Sequence, residues 1–337
     1  MGDEGLQTRV DELIAASRFS GVVRVDRAGE TVLERAVGWA HRAHRVAMAT
    51  DTRLAMASGC KGFTALVVHS LAADGTLPLN TPARDLLGND LPLIDDRVTV
   101  EHLLAHRSGI GDYLDENEND KIDDYVLSVP VHTLVETTNY LAVLEGHPQS
   151  FPPGERFAYN NGGYVVLALL AERAADTAFV DLVRERVTDR ADMTDTAYLR
   201  SDALPERTAV GYLHAEGDQS NVLHLPVRGS GDGGAYTTVL DMHRMWTALR
   251  DGALLDPALL AAAWRPRSDV PGENARYGLG FRLHRTRSAV MLEGYDAGVS
   301  FRSVHDPESD TTYTAIANWS DGAWPLIRGL DHHLLGK

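Results

Sequence analysis

The sequence predicts an α+β fold: an antiparallel sheet built from N- and C-terminal strands, flanked by helices, with a mostly helical insertion between the two strand groups. Three observations predict it. Gly21 to Val25 and Thr31 to Val37 are rich in β-branched residues and are joined by the turn Asp26-Arg27-Ala28-Gly29-Glu30, which is a hairpin signature. Strand patterning returns only near the end, in Leu279 to His284, Ala289 to Glu293, Gly298 to Val304 and Thr311 to Asn318. Between these groups, helical spacing dominates. Hairpins imply antiparallel pairing, so the end strands are expected to share one sheet. The chain reads as a single unit over residues 1–337, with an α/β part at about 6–75 and 230–337 and the helical insertion at about 76–229.

Taken in order, Leu6 to Ala16 carries Val10, Leu13 and Ile14 at helical spacing. After the first hairpin, a short apolar run ends at the break Ser58-Gly59, and an apolar helix continues toward Ala73 and closes at Asp74-Gly75. Leu77-Pro78-Leu79-Asn80-Thr81-Pro82 is a loop. Thr99 caps a helix through Leu103, Leu104 and Ala105 that stops at Ser108-Gly109. The turn Phe151-Pro152-Pro153-Gly154-Glu155 leads to a helix from about Tyr164 to Ala175, apolar nearly all round and so deeply buried. Further helices are expected near Ala178 to Val187, Val239 to Arg250 and Trp324 to Leu335.

Composition excludes several function classes. Apolar content of 44% and charged content of 24% belong to a globular protein with a large core. The net charge of −16 repels phosphate backbones and argues against nucleic acid. No run is long enough to span a membrane, and the acidic start Met1-Gly2-Asp3-Glu4-Gly5 is no secretion signal, so a cytoplasmic location is expected. A single cysteine, Cys60, leaves no internal disulfide and fits a reducing compartment.

Candidate metal and phosphate sites fail on detail. Asp115, Asn117, Asn119, Lys121 and Asp123 follow the alternate spacing of a calcium loop, but Asp120 stands where glycine is needed and Val126 where a bidentate glutamate is needed. His102 and His106 are spaced i, i+4, yet the order Glu-His-Leu-Leu-Ala-His is not H-E-x-x-H. His332 and His333 read as exposed helix residues. The glycine-rich stretch Gly229 to Gly234 lacks the terminal Lys-Ser/Thr of a phosphate loop. No metal and no cofactor is expected.

The chemistry-bearing stretch is Ser58-Gly59-Cys60-Lys61. With the helix starting at the break, Ser58 sits at its N-terminus and Lys61 lies one turn on, on the same face. A serine hydroxyl is a poor nucleophile at neutral pH; a buried, neutral lysine amine can serve as its base. The chain has only three lysines, Lys61, Lys121 and Lys337, and Lys61 has apolar flanks, which suits a buried amine. Alternatively, Ser58 is an N-cap and Lys61 a surface residue. Tyr159, on the loop before the buried helix with Asn161 two residues on, is the candidate third proton handler. The bland alternative is a structural tyrosine.

These residues carry a resemblance. Phe19-Ser20-Gly21-Val22-Val23 resembles the opening strand of the serine β-lactamase and penicillin-binding-protein superfamily, in its class C-like branch, which includes family VIII esterases and DD-peptidases. Ala57 to Ala65 resembles the S-x-x-K helix, Val98 to Gly109 resembles "T-I-x-H-L-L-x-H-x-S-G", and Phe151 to Tyr164 resembles the stretch that carries Y-x-N. Gly233-Gly234-Ala235-Tyr236-Thr237-Thr238 with Asp241-Met242 resembles a later helix-leading segment, so five motifs fall in order. The resemblance implies that Ser58 forms an acyl-enzyme, that Lys61 and Tyr159 share its proton, and that Asn161 holds substrate. It also implies that the segment holding His102 and His106 is structural.

The family's third motif, Lys or His, any residue, then Gly, falls on Leu292-Glu293-Gly294, which keeps the glycine and lacks the cation. By resemblance, the N–H groups of Tyr295 and Ser58 would form the oxyanion hole, with Leu292, Glu293 and Gly294 beside the substrate. Losing a charge-assisted contact to a substrate carboxylate costs about 1.5–3 kcal/mol. The expected substrate is therefore a small neutral ester, with amide hydrolysis or acyl transfer close behind. The alternatives are a non-catalytic binding or sensing protein on the same scaffold, and a β-lactamase or DD-peptidase. Gly298-Val299-Ser300-Phe301 is only half of a G-x-S-x-G elbow, since Arg302 takes the place of the second glycine, and an α/β-hydrolase is rejected.

Overall fold

In a computed structural model of the chain, residues 3–114 and 122–336 are described. Asp115, Asn117, Asn119, Asp120 and Lys121 of the calcium-like loop lie outside them. The first hairpin forms as β1 (Gly21–Arg27) and β2 (Glu30–Val37). Near the end of the chain come β3 (Ser268–Asp269), β4 (Ala275–Tyr277), β5 (Arg282–His284), β6 (Val290–Asp296), β7 (Val299–Asp306) and β8 (Thr311–Ala317). They make one eight-stranded sheet in the order β2-β1-β8-β7-β6-β5-β4-β3. Every pair is antiparallel, and the two ends of the chain meet where Gly21 of β1 faces Ala317 of β8. The short strands β3 and β4 were not expected: two or three residues are too few to show a period of two.

Alternation along the strands gives the sheet two apolar faces. On one, Val22, Leu292, Phe301 and Ile316 pack into a core with α2 (Lys61–Ala73) and with residues of α3 (Val100–Leu104), α4 (Asn161–Ala175) and α5 (Val239–Arg250). On the other, Val23, Val25, Met291, Tyr313 and Ala315 pack against α1 (Asp3–Ala16) and α6 (Trp324–Leu330). Helix α5 spans the expected residues, capped by the Thr238 side chain, which accepts from Asp241 N–H. Helix α4 starts three residues earlier than its apolar run, because Asn160 caps it: the Asn160 side chain accepts from Gly163 N–H at 2.6 Å. The helices expected at 178–187 and 324–335 each end in a π turn, at Arg184–Thr188 and Asp331–Leu335. Among the described residues, no helix is long and apolar enough to cross a membrane.

Candidate active site

Ser58 lies in a 3₁₀ turn, Ala57–Cys60, that runs directly into α2. The alternative reading of Ser58, as the capping residue of that helix, fails: no side-chain cap is made, and the hydroxyl is left for other partners. The turn is pinned on both sides. Leu54–Ala55 pairs with Tyr236–Thr237, and Met56 N–H donates to Ala235 O at 3.0 Å. Ala57, just before the serine, adopts φ +44°, a left-handed conformation that a non-glycine residue holds only when its surroundings impose it.

Lys61 is 3% exposed. Its Nζ donates to Asn161 Oδ1 at 2.8 Å and to the Asp232 carbonyl at 2.7 Å, and lies 2.8 Å from Ser58 Oγ. The Tyr159 ring packs beside it, with its centroid 5.0 Å from Nζ, and the Tyr164 centroid is at 5.7 Å. Asn161, at the first turn of α4, is held by its own Nδ2–H to Leu114 O at 2.9 Å and by its backbone N–H to Asp112 Oδ2 at 2.6 Å.

Strand β6 closes the opposite side. Its pairing with β5 stops at Met291, so from Leu292 onward that edge faces the serine turn. A Cβ on Gly294 would lie 2.1 Å from Met56 O and 3.0 Å from Ser58 N, so only glycine lets the strand come this close. Leu292 is 4% exposed, and its methyl groups fill the space where a Cβ on Gly62 of α2 would stand. Glu293, on the opposite face of the strand, accepts from Arg302 Nε at 2.6 Å, with Arg282 a further cation at 3.7 Å. The Tyr295 side chain turns outward, 40% exposed, and donates to Asp321 Oδ1 at 3.3 Å.

Two cavities meet at Ser58. One, of about 490 Å³, is lined by Lys61, Tyr159, Arg156, Arg282, Leu292 and Gly294 among others. The other, of about 70 Å³, is lined by Asn161, Tyr113, Leu127, Leu225 and Tyr236 among others.

Two residues of the site escaped the sequence reading, and a third was read only as part of a structural segment. Asp112 accepts from the N–H groups of Asn161 and Gly162 at the start of α4; burial pushes its carboxyl up to about 6, against the pull of those donors and of Lys61. Asp232 offers its carbonyl to Lys61. Its buried carboxyl, raised above the usual range by desolvation, accepts from Tyr113 Oη. The third, His106, lies against Tyr159, with ring centroids 4.4 Å apart. The glycines around Asp232 were a usable signal, since they mark close backbone approach: a Cβ on Gly231 would strike Tyr164 O at 2.1 Å. Asp112 and His106 carry no such mark.

Other reactive groups are spoken for. Burial raises the Cys60 thiol to about 11, which keeps it protonated. Ser300, of the half elbow, is buried in β7, where its Oγ donates to Trp319 O at 3.1 Å and accepts from Ala323 N–H.

A buried lysine touching a serine hydroxyl, on an antiparallel sheet backed by helices, defines a serine hydrolase of the SxxK type. The chain belongs to the Beta-lactamase family, whose model matches residues 6–335. It is 30% identical to the esterase EstB of Burkholderia gladioli, over 86% of this chain and 80% of that one. Penicillin-binding protein 4* of Bacillus subtilis is 26% identical over 98% of this chain and 76% of its own. The crystal structure of a penicillin binding protein from Bacillus halodurans superposes with a TM-score of 0.90 at 33% identity, covering 96% of this chain and all of that one.

Proposed function

We propose that the protein hydrolyses small neutral esters through an acyl-enzyme on Ser58. The geometry of Lys61 Nζ carries this reading. Two of its tetrahedral positions are used on Asn161 Oδ1 and the Asp232 carbonyl, so the third faces Ser58 Oγ. In the neutral amine that position is a lone pair, able to take the hydroxyl proton. Ser58 Oγ then attacks the ester carbonyl, and the oxyanion is held by the N–H groups of Ser58 and Tyr295. Collapse breaks the bond to the alcohol, which leaves with the proton passed on through Tyr159; water then hydrolyses the acyl-enzyme and restores Ser58.

The proton donor must stand on the leaving-group side. Tyr159 lines the larger cavity and Asn161 the smaller, so the alcohol occupies the 490 Å³ space and the acyl chain the 70 Å³ one. Leu292 offers no charge to a substrate carboxylate, and of the arginines lining the larger cavity Arg282 faces Glu293 and Arg156 lies over the Phe151 ring, which favours neutral substrates over β-lactams. Similarity to an esterase supports the same choice. In the proposed division of the chain, residues 76–229 supply Tyr159 and Asn161, and the α/β part supplies Ser58, Lys61 and β6.

The test is labelling with a fluorophosphonate probe, together with turnover of p-nitrophenyl esters from acetate upward. Wild-type labelling that is lost in Ser58→Ala, with short acyl chains preferred, is the expected result. No labelling and no turnover would favour a non-catalytic binder, and faster nitrocefin than ester turnover would favour a β-lactamase.

A further inference from the structure

His106 follows α3 with φ +52°, a left-handed conformation that histidine seldom adopts. Two peptide N–H groups flank Tyr159, and this one residue takes both. The His106 carbonyl accepts from Ala158 N–H at 2.9 Å, and its ring Nδ1 accepts from Asn160 N–H at 3.1 Å. Between those two bonds, the imidazole lies against the Tyr159 ring, the planes 36° apart. Rings of Tyr164 and Tyr277 pack on it at 4.9 and 4.8 Å.

The ring must be neutral to do this, because an imidazolium has no lone pair at Nδ1. Its surroundings agree: complete burial holds its pKa well below the usual histidine value. The proton then sits on Nε2, which has no hydrogen-bond partner among the described residues. A core histidine kept only for packing has no need of Nδ1 aimed at one backbone amide, or of a strained φ that turns its carbonyl to another.

We propose that His106 is a positioning residue for Tyr159: by holding the backbone N–H groups of the residues before and after it, Ala158 and Asn160, His106 sets where the tyrosine stands relative to Lys61 and Ser58. This rests on the acyl-enzyme reading above. It extends it from the groups that handle the proton to the one that places them. The strained φ serves the same end, since it lets carbonyl and ring of one residue face the same loop.

The experiment compares His106→Asn with His106→Phe in the full-length protein. Asparagine tolerates positive φ and puts an acceptor oxygen close to the Nδ1 position, while losing the ring; phenylalanine keeps a ring and loses the acceptor. Active sites are counted by fluorophosphonate titration, and thermal midpoints are recorded for both variants. For each folded active site, His106→Asn is expected to keep kcat within about fivefold. His106→Phe is expected to lose roughly 100-fold in kcat with little change in KM, the scale of a misplacement of about 1 Å. Equal kcat in both variants, or a kcat that falls in step with the thermal midpoint, would overturn the proposal. If His106→Phe does not fold, His106→Asn decides alone: a loss beyond about 100-fold in the folded protein overturns it, and near-normal kcat supports it. A wild type that is never acylated removes the acyl-enzyme reading and this inference together, whereas an active wild type with unaffected variants removes only this one.

Discussion

Replacing Gly294 by alanine puts the approach of β6 to the serine turn under direct test. The added Cβ would meet three backbone atoms: Met56 O at 2.1 Å, Gly59 N at 2.9 Å and Ser58 N at 3.0 Å. None is the end of a flexible side chain, so strand or turn must move by about 1 Å to restore ordinary contact. Overpacking of this kind costs about 1–3 kcal/mol of stability. A shift of that size at the nucleophile, and at the N–H proposed to hold the oxyanion, costs about 100-fold in rate. Urea unfolding and steady-state kinetics on a p-nitrophenyl ester measure the two effects separately. The expected result is a folded protein with kcat/KM down by about 100-fold, the loss falling in kcat. Wild-type kcat/KM in Gly294→Ala would refute the argument that the strand's closeness shapes the site.

Two further outcomes follow from the charges around Lys61. Lys61→Met is expected to lower kcat/KM by about 10²–10⁴-fold, the range for removing a general base, and to slow fluorophosphonate labelling in parallel; labelling at the wild-type rate would contradict the role given to Nζ. Asp112, with its pKa raised from 3.8 to about 6 by burial, favours the native state while protonated. Its contribution is therefore full below about pH 4 and is lost as pH rises through 6. The urea midpoint of wild type relative to Asp112→Asn should fall between pH 4 and pH 7, and a pH-independent difference would count against this.

The parts legible in the sequence were those with a local signature. The hairpin at residues 21–37, the capped helix Val239–Arg250 and the ordered motifs around Ser58, Lys61 and Tyr159 all depend on neighbours within a few positions. What escaped depends on partners far along the chain. The carboxylate holding the first turn of α4 comes from Asp112, about fifty residues before it, and the second carbonyl on Lys61 comes from Asp232, 171 residues away. Glu293 was of concern as a charge beside the substrate. It does line the larger cavity, but its carboxylate is paired with Arg302, its direct cross-strand partner in the β6–β7 register, a pairing that only the register reveals. The left-handed φ of Ala57 and His106 left no trace either, because neither is a residue type that favours it as glycine does.

The seam between β1 and β8 has a consequence for how the molecule is made. Pairing Gly21 with Ala317 closes a loop of nearly the whole polypeptide, and contacts of such separation form late and slowly. The nucleophile turn also leans on β6, so a nascent chain has already exposed Ser58 long before the strand that completes its pocket leaves the ribosome. Fragments cut short of that strand would carry every motif residue up to Asn161 and still be inert.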